Sequence, residues 1–287
     1  MWRLVLGLVV GCSYTAPPSS STPSDGAADD SGGSTDGSPD TTTDPDGAAP
    51  LLIVTTGLLQ DLDADLGVTG TTNVTAWANQ VAAGEDVVVT AAGTIALVPD
   101  VLNGHAALDF PNTARMEGDD TSVFSDLTDG DGLTWFAVAE PAATQDLSDR
   151  NQIFGWIRNG GINSGITAGV DRAARPYAMV RPASTEFKAQ SATSVTQWTI
   201  LAGRLGAGTN AIVQLYRNAA TPDAMANSTA ANNQVGALTI GAERDDGSEF
   251  FDGRIARILI YGRPLDDAEL GQTGRALGQR YAIATAF

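Results

Sequence analysis

Thiol and imidazole are almost missing from this chain, which has one cysteine, Cys12, and one histidine, His105, in 287 residues. A disulfide framework needs at least two thiols, and a Cys/His zinc site needs four ligands, so neither chemistry is available. Positive charge is also scarce: 16 Lys and Arg stand against 34 Asp and Glu, for a net charge of −18. A surface so acidic repels phosphate backbones and anionic headgroups, which argues against nucleic acid and against direct binding to an anionic membrane. No apolar run approaches the ~20 residues that a membrane-spanning helix needs. Aromatic residues are few, with 8 Phe, 5 Tyr and 5 Trp, so a binding face paved with stacked rings is not favoured.

The chain does hold three segments of different composition. Residues 1–12 read MWRLVLGLVVGC, with one basic residue, an apolar run from Leu4 to Val10, and small Gly11 before Cys12. That run is too short to span a bilayer and reads as a cleaved export signal. Val9-Val10-Gly11-Cys12 resembles the lipobox of bacterial lipoprotein signal peptides. The resemblance implies removal of residues 1–11 and a lipid on Cys12, and Ser13 resembles a signal for outer-membrane sorting. Residues 12–50 are then the lipidated Cys and a linker of Ser, Thr, Pro, Gly, Ala and Asp, with no aromatic after Tyr14. Such a segment cannot bury enough apolar area to offset the cost of ordering, so it is expected to stay disordered. The expectation is a cell-envelope protein on the outer membrane or cell surface, touching the membrane through its lipid alone.

Folded sequence is expected from Leu51 to Phe287, a length that a single β-sandwich reaches. Short apolar runs bounded by turn residues recur at 86–90, 94–97, 106–110, 134–139, 152–156, 165–170, 177–180, 186–189, 198–204, 211–216 and 237–241. Many short strands with little helix before residue 266 predict an all-β sandwich or barrel. The strongest strand covers 254–261. It is apolar on both faces, with Ala256, Ile258 and Ile260 expected on one and Ile255, Leu259 and Tyr261 on the other; Arg257 is the exception. Such a strand belongs inside a covered sheet rather than at an edge. Pro264 ends the pairing, Asp266 is placed to cap a helix with Glu269 reaching back, and Leu270, Thr273, Leu277 and Tyr281 recur on one helical stripe.

Phe251, Gly253, Ile255, Ala256, Ile260, Tyr261, Arg263, Leu265, Glu269, Tyr281 and Ile283 stand in the order of a motif that closes laminin-G-like, concanavalin A-like jelly rolls. The stretch from Leu58 to Asp65 resembles the family's opening strand, Trp77-Ala78-Asn79-Gln80 the segment after it, 103–110 its N-G-x-x-A-L-x-F turn and strand, and 134–139 a further strand. The resemblance implies a jelly-roll β-sandwich with a short C-terminal helix. It does not by itself imply a reaction.

Candidate sites divide by chemistry. Glycosidases on this architecture align carboxylates along one strand, and Glu243, Asp245 and Glu249 invite that reading. Their spacing is interrupted at Gly247, so they are expected on a loop edge, solvated and without catalysis. His105 follows an Asn-Gly turn signal and has no paired nucleophile; a structural role is expected. Asp129, Asp131, Asp245 and Asp246 set hard oxygen ligands on tight turns, as Ca²⁺ requires, though none lies in an EF-hand loop. For a glycan or an extracellular protein, the candidate contacts are Trp156, Tyr177, Arg181 and Tyr216, with burial in the core as the competing role of each ring. The function expected is that of a lipid-anchored, non-catalytic binding or adhesion module. The alternatives are a divergent polysaccharide hydrolase or lyase, and a structural envelope module without a small ligand.

Overall fold

The computed structural model describes residues 51–81, 86–90, 93–118, 131–145, 150–158, 164–182, 185–208, 211–228, 237–242 and 249–287. Cys12, Asp129, Glu243, Asp245 and Asp246 lie outside these, as does the side chain of Trp156.

Among the described residues, seventeen strands and one helix follow in chain order. They are β1 (Leu58–Asp63), β2 (Val68–Thr69), β3 (Ala76–Trp77), β4 (Val87–Val89), β5 (Ala96–Leu102), β6 (His105–Phe110), β7 (Met116–Glu117), β8 (Leu133–Pro141) and β9 (Asn151–Arg158). After these come β10 (Ser164–Val170), β11 (Pro176–Pro182), β12 (Phe187–Gln190), β13 (Thr199–Leu205), β14 (Ile212–Arg217), β15 (Pro222–Asn227), β16 (Leu238–Ile240), β17 (Gly253–Tyr261) and α1 (Asp267–Tyr281). One sheet runs β15-β14-β13-β8-β17-β6-β5, with β1 also paired to β17. The second runs β12-β11-β10-β9-β16-β7-β4-β3-β2. The two sheets enclose a core that includes Leu62, Trp77, Phe110, Trp135, Phe154, Ile166, Val180, Ile240 and Ile258. This is a jelly-roll β-sandwich, as expected.

β17 is central, as its apolar faces predicted. β8 pairs along one side of it; on the other, β6 pairs with its first residues and β1 with its last. The expected division of its faces is corrected by a bulge. The register to β8 shifts between Ile255 and Arg257, and an inserted residue reverses which side chains face the core. Ile255, Ile258 and Ile260 therefore point between the sheets, while Ala256, Leu259 and Tyr261 join a second cluster on the outer face of the first sheet.

α1 covers that outer cluster with Leu270, Leu277 and Tyr281. Its start is the predicted capping box: the Asp266 carboxylate accepts from the Glu269 N–H at 2.8 Å, and the Glu269 carboxylate accepts from the Asp266 N–H at 3.1 Å. Arg263 adds a fork of two 2.7 Å bonds to Glu269. Ala282 ends the helix in the left-handed region, at φ 52°. The chain then folds back until the Phe287 ring lies on Gly274, where an added Cβ would come within 2.2 Å of it. A glycine inside a helix costs about 1 kcal/mol relative to Ala, and here its bare surface is what seats the ring. Residues 51–56 run along the same helix, held by Gln272 Nε2 to the Leu52 carbonyl, Tyr261 OH to the Val54 carbonyl and Arg263 to the Thr56 carbonyl, at 2.9, 2.9 and 3.0 Å.

Candidate functional site

Tyr177 and Arg181 sit on β11 at alternate positions from Ala178 and Val180, whose side chains enter the core; the pair therefore shares the outer face of the second sheet. Both are buried, at 0% and 3% exposure. Lys188 Nζ stands 4.4 Å from the Tyr177 ring centre, and Arg181 Nη2 bonds Glu186 at 2.6 Å. Tyr216 is on the outer face of the other sheet, 1% exposed, with the Arg204 guanidinium 5.6 Å from its ring. The structure thus brings Tyr177 and Arg181 together and sets Tyr216 apart, and neither ring offers an open face on which a sugar could stack. At the Trp156 position the backbone pairs with Ile166 and Leu238, two core residues.

Glu249 departs from the solvated loop edge expected of it. It is 6% exposed and in the left-handed region at φ 62°. Arg150 Nε lies 2.9 Å from its carboxylate and Gln152 Nε2 donates to it at 2.9 Å. Arg150 also reaches Glu186, so carboxylates and guanidiniums alternate from Arg181 to Glu249. The pairing overrides the turn signal that pointed Glu249 toward water. Asp131, the one described member of the four aspartates weighed for calcium, is exposed. Among the described residues no group of three or more His, Cys, Asp or Glu is placed to hold a metal ion.

The outer face of the first sheet carries charge at both ends. Under α1, Arg257 makes a fork of two 2.8 Å bonds to Asp61. Arg280 reaches Asp63 at 2.9 Å and Asp65 at 2.7 Å. Burial pushes the Asp63 carboxyl above the usual range despite both arginines. Burial would raise Asp65 too, but the Ala106 N–H, His105 and Arg280 together hold it below. His105 bonds Asp65 and sets its ring edge-on to Tyr281, at 5.1 Å between centroids, which is a structural role.

At the opposite end the side chains line a cleft of about 420 Å³, walled by Asp109, Glu140, Pro141, Thr196, Asp252 and Arg254 among others. Its floor is set by strand register: Arg254 on β17 stands opposite Asp109 on β6 and opposite Glu140 on β8. One guanidinium is therefore flanked by a carboxylate on either side, at 3.5 and 3.4 Å. These contacts are long for charge-assisted bonds. Asp252 is fixed through its backbone, its N–H donating to Gln145 Oε1 at 3.0 Å and its carbonyl accepting from Gln145 Nε2 at 2.7 Å. Its carboxylate makes no hydrogen bond or ion pair among the described residues. Burial lifts that carboxyl above its ordinary range, and the nearby Asp109 charge adds to the push. Thr196 also walls a second hollow of about 290 Å³, with Ser194, Gln197, Thr199, Arg217 and Asn218. The two hollows share a wall and, among the described residues, present hydroxyl, amide, carboxylate and guanidinium groups without an aromatic ring. None of the cleft residues was singled out from sequence as a ligand contact. The available signal was Asp252 and Arg254, a polar alternation at the head of an apolar strand.

Comparison with known proteins places the fold. The family described as the concanavalin A-like lectin/glucanases superfamily, a laminin-G-like family, matches residues 115–271. No curated relative matches the chain. Among solved structures, domain 4 of a GH43 extracellular arabinanase from Geobacillus stearothermophilus, in complex with arabinotriose, superposes with a TM-score of 0.55 at 16% identity, over 76% of this chain and 98% of that one. The binding domain of botulinum neurotoxin DC in complex with SialylT gives 0.51 at 10% identity, over 78% of this chain and 52% of that one. The same domain in complex with rat synaptotagmin II gives 0.52 at 10% identity, over 77% and 52%. The chain thus spans about half the length of the neurotoxin domain. At these identities the likeness is one of fold.

Proposed function

Because this chain belongs to the concanavalin A-like lectin/glucanases superfamily, we propose that it is a glycan-binding module, non-catalytic, held at the cell envelope by a lipid on Cys12. The observation that carries the binding reading is the polar cleft around Arg254, continued past Thr196 into a second hollow. Vicinal hydroxyls of a sugar each donate and accept, and a guanidinium flanked by carboxylates supplies both partners side by side. Binding sites for small ligands fall in the range of about 300–1,000 Å³, and the cleft alone, at about 420 Å³, lies within it. Support from fold is general: an arabinanase domain of this shape was solved with arabinotriose, and a neurotoxin domain of this shape with SialylT and with a protein. Without a stacking ring, recognition would rest on hydrogen bonds alone. Titration of the purified full-length protein with neutral, amino and acidic oligosaccharides, with and without calcium, tests this. Binding that Arg254→Ala removes is the expected result; no binding to any glycan would leave the structural-module reading.

One observation favours the hydrolase alternative, the Asp252 carboxyl whose affinity for a proton is raised next to Asp109. An acid of that kind is what glycoside cleavage uses. Reducing-sugar release that Asp252→Asn abolishes would establish it; binding without release supports the module.

The anchor rests on sequence. Val9-Val10-Gly11-Cys12 supplies the lipobox-like site, and a flexible 38-residue linker would hold the domain roughly 35 Å from the bilayer on average. Among the described residues no helix is long and apolar enough to cross a membrane. Cys12→Ser is expected to move the protein from the membrane fraction to the soluble one; unchanged partitioning would overturn the anchor.

A further inference from the structure

The charges around the cleft do not balance. Among the described residues, Asp109, Glu140 and Asp252 line it and Arg254 is the one cation in its wall. Arg254 already lies between Asp109 and Glu140, which leaves the Asp252 carboxylate with no cation of its own among the described residues. The imbalance is local, because elsewhere on this sheet the buried carboxylates each have an arginine: Asp61 has Arg257, and Asp63 has Arg280. Among the described residues, the three cleft carboxylates belong to no group arranged around one metal ion; they are spread along a hollow that continues past Thr196. A point cation would satisfy one of them, whereas an extended ligand bearing amines can meet them while its hydroxyls bond Arg254 and Thr196.

We infer that the cleft selects amino sugars, taking glycans that carry protonated amines at Asp252 and excluding uronic and sialic acids. This rests on the glycan-binding reading above and narrows its ligand class. A protonated amine donates three hydrogen bonds and meets a carboxylate with charge assistance. A carboxylated sugar at the same place would meet Asp109 and Asp252 as a like charge, which disfavours it.

The test is calorimetric titration of the full-length protein at pH 6.5 with three probes of equal length: glucosamine oligomers, their N-acetylated counterparts and oligogalacturonate. Charge-assisted hydrogen bonds are roughly twice as strong as neutral ones, so the amine-bearing oligomer is expected to bind about five- to tenfold more tightly than the acetylated one. The preference should shrink as salt is raised, and Asp252→Asn should bring the two affinities together while leaving the melting curve cooperative. Should that variant fail to fold, Asp109→Asn, on a side chain half exposed to solvent, is expected to lower the preference in the same direction. Equal affinity for the amine and acetylated oligomers, or tighter binding of oligogalacturonate, overturns the selection and leaves glycan binding standing. No binding of any of the three, with none to other glycans, overturns both.

Discussion

At one end of the first sheet's outer face, Asp61, Asp63 and Asp65 meet Arg257 and Arg280; at the other, Asp109 and Glu140 share Arg254, and Asp252 has no ion pair among the described residues. Both ends set carboxylates against guanidiniums, and the sheet is the same. What differs is cover. α1 and residues 51–56 lie over the first end, so Asp61, Asp63 and Arg257 left water on folding and each had to find a close opposite charge. The second end stays open, its guanidinium contacts are long, and one carboxylate has no counter-ion among the described residues. Water can solvate such a group until a ligand replaces it. Charged residues under the helix are therefore part of the fold's cohesion, and those at the open end are available to bind.

The largest effect that separates the two ends is on stability. Asp61→Ala would leave Arg257 buried with Asp63 at 3.6 Å as its remaining carboxylate, and breaking a buried pair on one side costs roughly 3–5 kcal/mol. Arg254→Ala removes only long, partly exposed contacts, and pairs of that kind contribute about 1 kcal/mol or less. Urea unfolding of both variants checks the contrast. Equal losses would mean that the open end is as structural as the covered one, and would remove the ground for reading it as a site.

The same contrast explains what the sequence made legible. β17 and the capping box of α1 announce themselves through neighbours within a few residues: alternating apolar positions, Pro264, and the Asp266–Glu269 spacing. The jelly roll follows from many such local signals together with the family's closing motif. The bulge at Ala256 does not, because both faces of β17 are apolar and either division of its side chains reads as sound. Nor does the burial of Glu249, whose contacts Arg150 and Gln152 lie about a hundred residues earlier. Asp61, Asp63 and Asp65 are visible as a strand, but Arg257 and Arg280, which decide what those carboxylates do, are some two hundred residues away. The cleft is the extreme case. Its wall is drawn from β6, β8, the start of β17 and the loop before β13, and only strand register makes one row of Asp109, Arg254 and Glu140. The aromatic residues that composition singled out proved easier to find and harder to use: Tyr177 and Tyr216 are interior.

The smallest expected difference, and the sharpest, is in the sign of the response to acid. Folding depresses the carboxyl of Asp65 below its unfolded value of 3.8 through the Ala106 N–H, His105 and Arg280, which outweigh its burial. The charged form is thus favoured by the native state. That contribution is complete above the unfolded value and is lost as pH falls through the lower, folded one. Asp252 is shifted the other way, raised above 3.8 by burial and by Asp109. Its native form takes up a proton before the unfolded chain does, so its charge is a penalty at neutral pH that disappears as pH falls through the raised value toward 3.8. Asp65→Asn should therefore lower the melting temperature at pH 7, with the difference from the parent shrinking in strong acid. Asp252→Asn should leave the melting temperature unchanged or raise it at pH 7, with any gain vanishing near pH 4. Melting curves of the three proteins between pH 7 and pH 3 decide the matter. A destabilised Asp252→Asn at neutral pH would show that the carboxylate is already stabilised within the fold, and the open end would then be no different from the covered one.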